Sequence, residues 1–184
     1  MQQYAVGRYH MAIMTSDGAY SDTLRDNMAR DTMKLNPDYI FWLDADQTYP
    51  ANTPEVLMNH VDDGKMVVGG MTPHRGTGKP SVWESIPGSP LFKPRDIYVN
   101  DGVIKVEAMG LGGVMMNPEV FRKMDYPWFR MSWNKEINDR LGMDFVFYKN
   151  CEKAGIDIWC DTNLVFGHLA VRNVPMQIKQ RILT

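Results

Sequence analysis

A chain of 184 residues, 44% of them hydrophobic and spread along its length, is long enough to bury a core and reads as one globular domain. Its formal net charge of −2 argues against a general nucleic-acid binder, which is normally basic. No apolar run approaches the ~20 residues that cross a bilayer, and MQQYAVGRYH lacks the charged-then-apolar layout of a secretory leader, so a cytoplasmic address is expected.

In chain order, Tyr9 to Thr15 reads as a strand ended by Ser16-Asp17-Gly18. Ser21 to Lys34 reads as a helix, capped by Ser21 or Asp22, with Leu24, Met28 and Leu35 at helical spacing. Asn36-Pro37 stops it, and Asp38 to Leu43 follows as a short strand of the buried kind. Thr53 is expected to cap a helix running to about His60, with Pro54 at its first position. Lys65 to Gly69 is a third buried strand, and Met71 to Pro94, rich in Gly and Pro, reads as irregular loop. Asn100-Asp101-Gly102 between Ile97–Val99 and Val103–Glu107 predicts a hairpin.

Gly110-Leu111-Gly112-Gly113 precedes an apolar strand, Val114 to Met116, and Asn117-Pro118-Glu119 caps a short helix. Tyr126 to Gly142 is an aromatic-rich loop. Asp144 to Ala154 is an amphipathic helix closed by Gly155. Asp157 to Cys160 and Leu164 to Phe166 are two further strands. Cys151 and Cys160 fit no metal spacing and are expected as reduced core residues. Strands alternating with helices predict an α/β domain with a mixed sheet, its core in residues 1–170 and a tail over 171–184. That tail carries Arg172, Lys179 and Arg181 and is expected as a terminal helix, a membrane-surface helix or a flap.

The chemistry is concentrated where the apolar run Tyr39-Ile40-Phe41-Trp42-Leu43 stops at Asp44-Ala45-Asp46. Ligand sites in open α/β sheets lie beyond the carboxyl ends of strands. Residues i and i+2 of an extended segment point the same way, so the two carboxylates form a hard-oxygen pair suited to Mg2+ or Mn2+. The plainer alternative is a turn cap at Asp44 and a solvated Asp46. Asp44-Ala45-Asp46-Gln47-Thr48 also fits the Asp-x-Asp-x-Thr of haloacid-dehalogenase-type phosphatases, with Asp44 as nucleophile, Asp46 as general acid and Thr72 in a second motif. No acidic pair in 157–168 completes such a site.

DYIFWLDADQTYP, TSDGAYSDTLRDNMA, GLGGVMMNPEVFRKM, GMDFVFYKNCEKAGIDIWCD and VFGHLA, in that order, resemble the blocks of nucleotide-sugar-dependent glycosyltransferases of the GT-A fold, most closely family-2-like members. The resemblance runs from about Tyr9 to Ala170 and implies a Rossmann-like mixed sheet flanked by helices. It implies a nucleoside-diphosphate sugar as donor and Mn2+ or Mg2+ held by Asp44, Asp46 and His168. It makes Asp144 the base that deprotonates an acceptor hydroxyl, with inversion, although Met143 stands where the family commonly has Glu. Thr15, Ser16, Asp17, Arg25, Asn27, Ala45, Gly112 and Gly113 fall on the donor side, and Trp128 and Trp133 on the acceptor side. His74, Arg75 and Lys79 are solvated or contact phosphates.

Only eight residues precede Tyr9, where members of this fold usually carry a further strand–helix unit lining the nucleotide-base pocket. A compact form of the fold or a trimmed chain accounts for that. The phosphatase and a non-catalytic nucleotide-sugar binding module stand as alternatives.

Overall fold

The computed structural model describes residues 2–6, 9–16, 20–74, 77–89, 91–135 and 137–169. Asp17, Arg75 and the tail over 171–184 lie outside these residues. In chain order the elements are β1 (Gln2–Val6), β2 (Tyr9–Ile13), α1 (Ser21–Met33), β3 (Ile40–Trp42), β4 (Gln47–Thr48), α2 (Thr53–Asp62) and β5 (Val67–Met71). Then come β6 (Val82–Ser85), β7 (Phe92–Pro94), β8 (Val103–Val106), β9 (Ala108–Met109), β10 (Val114–Met116) and α3 (Glu119–Lys123). The last are β11 (Ser132–Asn134), β12 (Asp139–Leu141), α4 (Met143–Lys153), β13 (Ile158–Val165) and β14 (Gly167–His168).

The fold is mixed α/β. A five-stranded sheet in the order β3-β10-β5-β13-β8 forms its centre. Strand β10 runs antiparallel to both β3 and β5, while β13 runs parallel to β5. Alternation along each strand sends side chains to two faces. Val67, Val114 and Met116 join Ala29 of α1, Phe121 of α3 and Phe147 and Cys151 of α4 in one core cluster. Val68 and Met115 face the other way and pack with Leu57 and Val61 of α2. Helices therefore cover both faces, which is why β5 and β10 are apolar throughout.

The ends of β3, β5 and β13 and the start of β10 lie on one side of the sheet, because β10 alone among the four is reversed. That side receives Asp44, Thr72, His168 and the Gly112-Gly113 turn. Gly113 adopts a positive φ of 80° there, a conformation that favours glycine. Its amide donates to the Trp42 carbonyl at 2.8 Å, locking the turn against the end of β3.

Several expectations from sequence are corrected. The strand expected at Tyr9–Thr15 is present as β2 but lies outside the central sheet, pairing with β1 in a two-stranded ribbon. Its Met11 and Ile13 stay 44% and 42% exposed. Residues 71–94 are not irregular throughout, since β6 pairs with β7 and β9 in a second sheet. Residues 97–99 do not form the first arm of a hairpin. Asn100 and Gly102 do take positive φ, but β8 uses its pairing edge on β13. Tyr98 and Val99 stay exposed.

The two strands expected between 157 and 166 are one strand, β13, with a register shift between Asp161 and Val165. The loop over 126–142 contains the β11–β12 hairpin. Asn52, not Thr53, is the N-cap of α2, and Thr53 is wholly buried. Neither Ser21 nor Asp22 caps α1, whose N-cap is Tyr20. Cys151 and Cys160 are buried, free thiols, as expected; burial pushes the Cys160 thiol up to about 12.

Candidate functional site at the sheet end

Leu43 and Ala45 are exposed, whereas Asp44 and Asp46 are half-buried, so the two acids do share a side. A turn closes between them and the next strand, with the Gln47 amide donating to the Asp44 carbonyl at 3.3 Å. Asp44 is held from several directions. Arg25 Nη2 donates to Oδ1 at 2.8 Å, Gln47 Nε2 donates to Oδ2 at 3.3 Å, and the Asp44 amide donates to the Tyr49 hydroxyl at 3.0 Å. Arg25 in turn lies 5.3 Å over the Trp42 ring, a cation–π contact that fixes the guanidinium between α1 and the end of β3.

Asp46 meets His168. Strand β14 pairs with β4 so that His168 lies opposite Gln47, and the Leu169 amide donates to the Asp46 carbonyl at 2.7 Å. This brings His168 Nε2 to 3.6 Å from Asp46 Oδ2. His168 Nδ1 lies 2.9 Å from the Pro73 carbonyl. A carbonyl oxygen only accepts, so Nδ1 carries the proton and, in the neutral ring, Nε2 carries the lone pair. A backbone carbonyl that fixes the tautomer in this way is the usual support of a metal-binding histidine. Among the described residues no three His, Cys, Asp or Glu side chains stand close enough to hold an ion by themselves. Asp44 is turned to Arg25 instead.

Asp144 lies in the first turn of α4. Its Oδ1 is buried without a hydrogen-bond partner. Burial pushes its carboxyl above the ordinary range; Arg25 pulls it down, Asp44 pushes it up, and the Leu111 amide pulls it down. Asp144 and Asp44 thus feel one another and Arg25, and the Leu111 amide ties the Gly-rich segment to Asp144. One turn further along α4, the Tyr148 hydroxyl is also buried and unpartnered.

Gly112 runs against the acids. A Cβ there would stand 2.6 Å from Asp44 Oδ2 and 2.5 Å from Gln47 Nε2. The buried Thr72 hydroxyl donates to the Gly112 carbonyl at 3.4 Å. Gly113 backs onto the Phe166 ring. The site therefore gathers Arg25, Asp44, Asp46, Gly112, Gly113, Asp144 and His168.

Other residues singled out from sequence lie elsewhere. Asn27 accepts from Arg30 at 2.8 Å along the outside of α1. Thr15 and Ser16 are exposed in the segment after β2. Trp128 is corrected from acceptor platform to core anchor: it is 9% exposed, its Nε1 donates to the Met124 carbonyl, and its ring meets Phe121 edge-on. Trp133 is 59% exposed on β11. Two residues went unnoticed in the sequence. Buried Asp26 accepts from the Trp128 and Phe129 amides at 2.9 and 3.0 Å and so pins the 126–131 loop. Its signal was a carboxylate three residues before Ala29, on the buried side of α1. Pro73 was the other, since only the fold shows that its carbonyl orients His168.

No family model matches the chain, and no curated protein is significantly similar to it in sequence. Among solved structures the chain is similar to the crystal structure of A197 from STIV, with a TM-score of 0.66 over 86% of this chain and 72% of that one. Sequence identity is 18%, so the likeness is one of fold.

Proposed function

We propose that the chain is a glycosyltransferase of the GT-A type, taking a nucleoside-diphosphate sugar with Mn2+ or Mg2+ and transferring the sugar to an acceptor hydroxyl. The observation that carries this reading is the meeting of Asp46 and His168 at 3.6 Å beside Asp44. Cations of this kind take one or two carboxylates and complete their shell with substrate phosphates and water. A partial protein ligand set fits such an ion. Bound there, the cation would act as a Lewis acid on the leaving diphosphate.

Asp46 and His168 would hold it. Asp44, whose Oδ1 is on Arg25, would join them through Oδ2 only on release from its 3.3 Å contact with Gln47. Asp144 takes the acceptor proton; its unpartnered Oδ1 and raised pKa suit a base. The acceptor oxygen then bonds the anomeric carbon as the bond to diphosphate breaks, inverting that centre. Gly112 keeps the backbone low beside Asp44, leaving room for the donor. Nothing in the geometry favours a phosphatase: Asp44 Oδ1 lies under Arg25, and the Thr72 hydroxyl is spent on a backbone carbonyl.

A thermal-shift screen of nucleoside diphosphates with and without Mn2+ tests the reading. At a hundred times Kd, one of them should stabilise the fold by about 2.7 kcal/mol, and only with the cation. A flat response to every diphosphate overturns it.

A further inference from the structure

An open concavity lies between the start of α1 and the β11–β12 hairpin. Tyr20, Asp22, Arg130, Trp133 and Arg140 line it. The hairpin register sets Trp133 directly opposite Arg140, so their side chains leave the same face as neighbours. Arg130 enters just before β11. Tyr20 is 70% exposed and Trp133 59%. Neither Arg130 nor Arg140 has a carboxylate partner among the described residues, unlike Arg25, Arg95 and Arg122.

Among the described residues the lining holds one acid, Asp22. Burial would raise its pKa, but the amides of Thr23 and Met131 together hold it low. Its oxygens face those amides, at 2.7 and 3.2 Å, and brace the loop.

Both walls lead into the proposed chemistry. Arg25 lies one turn beyond Asp22 on α1, and β12 runs through Gly142 into α4, where Asp144 stands. We infer that this concavity binds the acceptor, and that the acceptor is a phosphorylated sugar: the guanidinium forks of Arg130 and Arg140 take the phosphate, and the faces of Trp133 and Tyr20 take the ring. The assignment of acceptor rests on the glycosyltransferase reading; the binding chemistry does not.

The test uses glucose 6-phosphate and glucose as probes, titrated by calorimetry onto the full chain without metal or nucleotide. Glucose 6-phosphate should bind, glucose at least tenfold more weakly, and added salt should weaken the former only. R130A/R140A should lose the preference for the phosphate, and W133A should weaken both probes. These side chains are exposed, so the unfolding midpoints of the variants should match that of the parent. Equal binding of the two probes, or a preference that survives R130A/R140A, overturns the inference. D46N/H168A keeps its glucose 6-phosphate binding if the concavity is as described. The two readings therefore fail separately. Nucleoside diphosphate binding without sugar phosphate binding sinks this one, and sugar phosphate binding in a chain that ignores every nucleoside diphosphate with Mn2+ sinks the other.

Discussion

His60 and Asp161 meet 2.9 Å apart between α2 and β13; His168 and Asp46 stand 3.6 Å apart at the sheet end. The residue types are the same and the surroundings are not. The Asp161 side chain is only 6% exposed, and its second oxygen accepts from the Asn163 amide at 2.9 Å. With His60 in direct contact, both oxygens of this carboxylate are engaged, and it ties the irregular part of β13 to a helix. Asp46 is 34% exposed, and its histidine is steered from behind by Pro73. The first pair is in direct contact within the fold; the second stands at 3.6 Å, with its histidine oriented by a backbone carbonyl. Distance, exposure and the partner on the far ring nitrogen distinguish a clamp from a candidate cation site.

Substitutions can break this contrast at either pair. Asp161→Ala leaves His60 and the Asn163 amide without their acceptor in a buried place. It should cost about 3 kcal/mol of stability in chemical denaturation, with Mn2+-dependent nucleotide binding retained by the folded fraction. His168→Ala should do the reverse: stability within about 1 kcal/mol of the parent, and Mn2+-dependent affinity for a nucleoside diphosphate down by about a hundredfold. Gly112→Ala sharpens the picture at Asp44. Its Cβ would press on Asp44 Oδ2 and Gln47, costing about 1 kcal/mol and weakening donor binding as measured by the same titration.

The smallest effect concerns Asp144. A carboxyl whose pKa is raised in the folded state binds more protons there than in the unfolded chain, so stability falls as pH rises from 3.8 through the raised value. Asp144→Asn should therefore stabilise the protein at neutral pH, and the gain should vanish below about 3.8. For the proposed base the same raised value should move the acid limb of transfer above the ordinary carboxylate range, readable in a pH–rate profile.

The sheet-end acids were legible because an apolar run stopping at Asp-x-Asp is a local signal, and i, i+2 alternation already put both on one side. His168 was legible only through resemblance to a family. Its approach to Asp46 depends on two two-residue strands, β4 and β14, and on the Pro73 carbonyl, none of which has a periodicity to read. Trp128 was misplaced because aromatic residues in a loop look alike whether they cover a core or await a ligand. Its burial follows from Asp26, on another element. The Gly- and Pro-rich stretch over 71–94 hid β6 and β7, which are short; β6 bridges β7 and β9, and β9 lies far along the chain. Strand β2 had the composition of a central strand, yet among the described residues it pairs with β1 alone and leaves Met11 and Ile13 over two-fifths exposed.

Electron paramagnetic resonance of Mn2+ tests the contrast most directly. The ion would be titrated with a panel of nucleoside diphosphates into the parent chain, His168→Ala and His60→Gln. Bound Mn2+ in the parent and in His60→Gln, and free Mn2+ in His168→Ala, is the result expected of a site at the sheet end. Binding that survives loss of His168, or that disappears with His60, would contradict it.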